Sequence, residues 1–198
     1  MILLSRRAII YATERQRNVM TDSEKVKEFV RAAFQRNPSY SFNDPKIMFN
    51  HSVLVEKYAA RLAKEVACDA EAVSIAALLH DVGKTFDADE KTLYEKHGEL
   101  AWTVSAEFVN GLELPEKTRA LIERLLCGDY SSVEGRIVKD ADVIAFYADE
   151  ELQDAFCEWA LKQGQPDELT RKLEKYEKLG YPQSKELAKP LQEKLKAR

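Results

Sequence analysis

The sequence has only seven glycines, and no stretch alternates apolar with polar residues. A fold of strands joined by tight turns is therefore not expected. It has three cysteines, Cys68, Cys127 and Cys157, far apart and with no CxxC pair. That excludes a disulfide framework and a zinc knuckle, and it points to reduced thiols in a cytoplasmic protein. There is no basic excess: 30 Lys and Arg stand against 34 Asp and Glu, a net charge of −4. No nucleic-acid polymer is expected as a partner, because phosphate neutralisation needs a strongly basic face. Long hydrophobic runs are absent too. "MILLSRRAIIYATERQRNVM" at the amino terminus is broken by Ser5, Arg6 and Arg7, so it lacks the continuous core of a signal peptide or a membrane span. Met20, followed by "TDSEKVKEF", offers an alternative start, and residues 1–19 are set aside as an extension of open status.

What is present is helix. In "SEKVKEFVRAAF", Val26, Phe29, Val30, Ala33 and Phe34 keep the three-four spacing of a helix with one buried face, capped by Asp22 or Ser23. "NPSYSFNDP" breaks the chain, and Pro45 suits the first turn of a long helix running to about Val66. Asp69 caps a third helix that is apolar nearly all round and should be central. A fourth helix is predicted over 92–110, ended by Gly111, with His97, Ala101, Val104 and Phe108 on one face. A fifth starts at Pro115, and a sixth spans 132–148 with Val138, Ala141, Asp142 and Ala145 clustered. Two further helical segments and a charged tail containing Pro190 follow. The fold class is all-α, a multi-helix bundle.

Against this apolar background a few polar residues are out of place. His51 is in register with Ile47, Leu54, Val55, Tyr58 and Leu62, and "SIAALLHDVGK" ends a buried helix in His80 and Asp81. A lone histidine on such a face is more often a hydrogen-bonded core residue than a ligand. However, His51, His80, Asp81 and Asp142 each interrupt an apolar face, and buried carboxylates cost several kcal/mol unless paired. Two neutral imidazoles and two carboxylates balance one divalent ion. The mixed nitrogen and oxygen set suits Mn, Fe, Co, Ni or Zn better than Mg or Ca. Four protein ligands on an octahedral ion leave two positions for water or substrate. Gly83 is expected to supply a permissive bend after the adjacent pair, and Lys84 a positive charge for a phosphate.

His51, the pair in "HDVGK" and Asp142 in "VKDADVIAF" resemble the H…HD…D signature of the HD-domain superfamily over about residues 45–150. "NHSVLVEKYAARLAKE", "AALLHDVGK" and "HGELAWTVSAEFV" are similar to three consecutive helices of that family. The resemblance implies an HD-domain-like bundle, with residues 20–198 as a single domain of core 45–150 and C-terminal helices 151–198. It implies a metal-dependent phosphohydrolase, with His51, His80, Asp81 and Asp142 holding one divalent transition metal. Asp81 and Lys84 are the catalytic candidates, and Lys84 and His97 bind the substrate, a nucleotide or another small phosphorylated metabolite. The family's ligand follows an alanine, which selects Asp142; Asp140 is expected to face solvent or outer partners of the site.

The chain also departs from the family. Binuclear members need further histidines, and His97 matches the first while "LLCGDY" offers only Cys127 or Asp129 for the second. An acidic pair after HD, and a glutamate in place of Lys84, mark other subgroups and are missing. Two alternatives stay open: a non-catalytic HD module that binds a nucleotide or protein partner, and a binuclear enzyme using His97. Loops 38–45 and 85–92 are expected to form pocket walls. The C-terminal third, including Trp159 and Tyr176, is read as simple packing, a cover for the cleft or a homodimer contact.

Overall fold

The computed structural model describes residues 20–37 and 44–198. The extension 1–19 and positions 38–43 of the loop 38–45 lie outside the described residues. Short oxygen-bearing side chains start most helices by accepting from backbone N–H groups that the first turn leaves without partners. Thr21, rather than Asp22 or Ser23, caps α1 (Asp22–Arg36), and Glu24 returns the bond to the Thr21 N–H as a capping box. Asp44 caps α2 (Pro45–Ala63), which ends one turn short of the expected Val66. Asp69 caps α3 (Ala70–Leu79), Asp89 caps α4 (Glu90–Asn110), and Pro115 sits just outside α5 (Glu116–Leu126). Ser132 caps α6 (Val133–Ala148) and Asp149 caps α7 (Glu150–Lys162).

The chain then forms a short α8 (Glu168–Glu174), a 3₁₀ turn (Lys175–Lys178) and α9 (Pro182–Lys196). The charged tail is thus a helix with Pro190 inside it, because Ser184, Ala188, Gln192 and Leu195 recur on one face and are buried. No strand occurs among the described residues. The protein is all-α.

α3 is the axis, packed on α1, α2, α5 and α6. Ala72, Val73, Ala76, Ala77, Leu78 and Leu79 are wholly inaccessible. Each leucine there contributes about 1.5–3 kcal/mol by leaving water. Its start is held by more than its cap, since Thr118 donates to the Asp69 carboxylate at 2.8 Å and the Asp69 N–H donates to Glu134 at 3.1 Å. Phe108 of α4 stacks on Phe29 of α1 with ring centres 4.3 Å apart. Among the described residues, no helix is long and apolar enough to cross a membrane.

Candidate metal centre and cleft

α3 is apolar on every side, so its end is fixed in the middle of the bundle, and that end is where His80 and Asp81 emerge. The His80 Nδ1–H donates to the Ala77 carbonyl at 2.8 Å. This bond sets the tautomer and turns the lone pair of Nε2 inward. His51 comes from the middle of α2 and Asp142 from α6, two helices that pack closely on each other and on α3. His51 Nε2 lies 3.2 Å from Asp142 Oδ1, and His80 Nε2 lies 3.7 Å from the same oxygen. The three residues present ligand atoms all within 4.8 Å of one another, the one such set among the described residues.

Asp81 adjoins this set without being part of it. Its Oδ2 is 3.4 Å from His80 Nε2 and accepts from Lys84 Nζ at 2.7 Å, while Oδ1 is 3.7 Å from His97 Nε2. So the two acids divide the work: Asp142 faces both imidazoles, and Asp81 joins His80 to Lys84 and His97.

Burial would raise the pKa of Asp81, but His80 and Lys84 hold it well below the ordinary carboxylate range. Burial opposes ionisation of Asp142 in the same way, and the bonds to His51 and His80, with the charge of Lys175, hold it low as well. Burial pushes the His80 imidazolium down, yet Asp81 and Asp142 together raise it to about 10. The site binds a positive charge strongly, and with a proton alone it does so imperfectly. Four buried side-chain polar atoms lack a hydrogen bond among the described residues, and two of them are His51 Nδ1 and His80 Nε2. An unsatisfied buried polar atom costs about 1–3 kcal/mol. His51 Nε2 faces Asp142 and His80 Nε2 faces both carboxylates, and imidazole nitrogen beside ionised carboxylates is the donor set a divalent transition ion takes, so these residues fit such an ion.

Gly83 places His97, although not by the means its sequence suggests. Its backbone is not in the left-handed region, which among the described glycines only Gly128 and Gly164 occupy. The bend after Asp81 is an ordinary 3₁₀ turn, Val82–Thr85. What requires glycine is contact: a Cβ at 83 would lie 2.0 Å from the His97 carbonyl oxygen and 2.5 Å from the Ala101 nitrogen. α4 therefore rests directly on the HD turn. Gly135 does the same for the loop before α6, where a Cβ would lie 2.0 Å from the Asp129 carbonyl oxygen. That loop delivers Tyr130 to the cleft.

The cluster forms one end of a cleft of about 800 Å³, a size that suits a small organic molecule. Two other hollows, of about 390 and 590 Å³, contain no metal-binding set. Described residues of the loop 85–92 do not line the cleft; α7, α8 and the following turn supply its far wall, Trp159, Arg171, Lys172 and Lys175 included. The C-terminal third thus covers the cleft, and Tyr176 is not in the lining.

Asp140 does not face solvent. It is 3% exposed and accepts from the Gly180 N–H at 3.0 Å and the Tyr181 N–H at 3.2 Å, which ties the start of α9 to α6. The candidates for a second metal ligand stand away from the cleft: Cys127 is exposed, and the Asp129 carboxylate accepts from Arg124 and Ser131. Sequence reasoning missed Lys139, Lys172 and Lys175. The one signal was the spacing of Lys172, Lys175 and Lys178, three apart on one helical side.

A family model described as HD domain matches residues 48–147, just over half of the chain. No curated protein and no solved structure gives a match to it.

Proposed function

Because this chain belongs to the HD-domain family, we propose that it is a metal-dependent phosphohydrolase cleaving a phosphate ester of a nucleotide or another small phosphorylated metabolite. One observation carries the reading: His51, His80 and Asp142 arrive from separate helices at one end of a cleft, the inward Nε2 of His80 has no hydrogen bond, and Asp81 stands beside them. In this reading His51, His80, Asp81 and Asp142 hold one divalent ion, drawn from Mn, Fe, Co, Ni and Zn. Such an ion, when bound, supplies a water of lowered pKa and charge stabilisation for a phosphoryl oxygen.

The chain's own residues do the rest. The bond from His80 to the Ala77 carbonyl keeps its lone pair aimed at the centre. Asp81 stays ionised and holds Lys84 2.7 Å away, where the ammonium can neutralise a phosphate oxygen as charge builds on it. His97, 36% exposed and open to the cleft, is positioned to bond a substrate oxygen. α7 and α8 close the far side and limit water around the reacting group. The separated thiols suit a reducing cytoplasm, and the size of the cleft suits a small molecule as the partner.

The test is hydrolysis of p-nitrophenyl phosphate and a panel of nucleotides by purified protein supplied with Mn, Co or Ni. Turnover that disappears in His80→Ala and Asp81→Asn supports the enzyme. An ion bound with phosphate affinity but no turnover on any substrate would make this a binding module instead.

A further inference from the structure

The far wall of the cleft is more basic than hydrolysis of one phosphate needs. Six cationic side chains line the cleft against four carboxylates. A divalent ion in the cluster would raise that excess of two to four. A phosphate monoester carries about two negative charges near neutral pH, so half of the excess would stay unmatched. Some of the cations are already committed, since Lys84 pairs with Asp81 and Arg171 with Glu168. Lys172 and Lys175 differ. Among the described residues neither forms an ion pair, yet both act electrostatically on the acidic cluster.

Lys172 is held in an unusual place. Its ammonium sits over the rings of Phe146 and Phe156, 4.9 and 5.1 Å from their centres. The aromatic faces stabilise the charge only partly, and burial, with Lys175 next, lowers its pKa to about 8. A cation in that position gains from an anion. Its backbone is fixed as well: the Tyr147 hydroxyl donates to the carbonyls of Lys172 and Leu173 at 2.8 and 3.1 Å, and Gln192 donates to the Leu173 carbonyl at 2.8 Å. Asp140 secures the chain again at Gly180 and Tyr181. Tyr147 and Asp140 are on α6, the helix that carries Asp142, so wall and cluster share one mount.

We propose that Lys172 and Lys175 form a second anion subsite facing the metal cluster, so that the substrate carries at least two phosphate groups. This deepens the phosphohydrolase reading and rests on it for the first phosphate only. The wall residues 168–178 lie outside the matched family segment. They set what this chain accepts rather than how an ester is cleaved.

Calorimetric titration with inorganic phosphate and with methylenediphosphonate tests the proposal, using the full chain both metal-free and with a saturating excess of Mn²⁺. In both states the diphosphonate should bind at least tenfold more tightly than phosphate. That preference should fall below threefold in Lys172→Met/Lys175→Met, while phosphate affinity changes by less than threefold. Methionine keeps the apolar stem against the two phenylalanines, and an unchanged melting curve verifies the fold. Equal affinity for the two anions, or a preference that survives in the double variant, overturns the subsite. If p-nitrophenyl phosphate is hydrolysed but no preference exists, the subsite fails alone. If no metal binds and nothing is hydrolysed while the preference remains, the enzyme reading fails alone.

Discussion

Replacing Gly83 by alanine adds one methyl group and should damage this protein more than most single changes. The new Cβ would stand 2.0 Å from the His97 carbonyl oxygen, 2.5 Å from the Ala101 nitrogen and 2.9 Å from the His97 carbonyl carbon. Ordinary contact begins near 3.4 Å. All three obstacles are backbone atoms inside α4, which cannot rotate away as a side chain does. α4 must therefore retreat by about 1 Å, against a core in which Ala101, Ser105 and Val109 are wholly buried. Overpacking typically costs about 1–3 kcal/mol, and a clash with rigid backbone belongs at the upper end. For a chain of this size that lowers the melting temperature by roughly 6–12 °C. Activity should fall further than stability, because His97 moves away from Asp81. Gly98, the residue after His97 in α4, is the control: a Cβ there meets nothing within 4 Å. Gly98→Ala should stabilise by about 0.5–1 kcal/mol through helix propensity. Thermal melts of the two variants should shift in opposite directions. A Gly83→Ala protein melting within about 2 °C of wild type would refute the argument that glycine is needed for contact.

Other expectations follow from the buried polar groups. Asp140→Ala removes a carboxylate that accepts from two backbone N–H groups, so its urea midpoint should drop by the equivalent of about 2–3 kcal/mol; an unchanged midpoint would mean α9 is held by packing alone. Burial opposes the charge on His80, but Asp81 and Asp142 raise its pKa to about 10 in the metal-free protein, so its stabilising contribution is complete below about pH 6.5 and is lost as pH rises through about 10. A metal ion must displace that proton, and Mn²⁺ affinity should climb about tenfold per pH unit between pH 7 and 9; a flat profile would show His80 is no ligand. Asp81 and Asp142 act with the opposite sign: their lowered pKa values stabilise above about pH 4, and that contribution is lost as pH falls further. Acid titration of the metal-free protein, followed by circular dichroism, should therefore show cooperative loss of structure below that point.

Much of this was legible in the sequence because the relevant forces are local. The three-four spacing of Val26, Val30, Ala33 and Phe34 reflects a buried helix face, and Asp69 and Ser132 stand where first turns need acceptors. The resemblance to the HD-domain superfamily selects Asp142 over Asp140, since the family's ligand follows an alanine, and Asp142 also shares a face with Val138 and Ala145. What stayed hidden depends on distance between elements. Asp140 is buried only because residues 180 and 181, forty positions away, bring two N–H groups to it. Gly83 reads as a flexible bend until α4 is seen lying on it. Lys172 sits in a charged helix that reads as solvated, and only the packing of α8 over Phe146 and Phe156 turns it into the cleft. Helix starts shift by a residue for a simpler reason: Thr21, Asp22 and Ser23 are all good caps, and the reciprocal bond from Glu24 decides for Thr21.

The proposed chemistry depends on His51, His80, Asp81 and Asp142 holding a single cation. Elemental analysis after dialysis against Mn²⁺ measures this. The wild type should carry one ion per chain, and His80→Ala and Asp142→Ala none. A wild-type protein without metal, or an ion that stays bound in both variants, would contradict it.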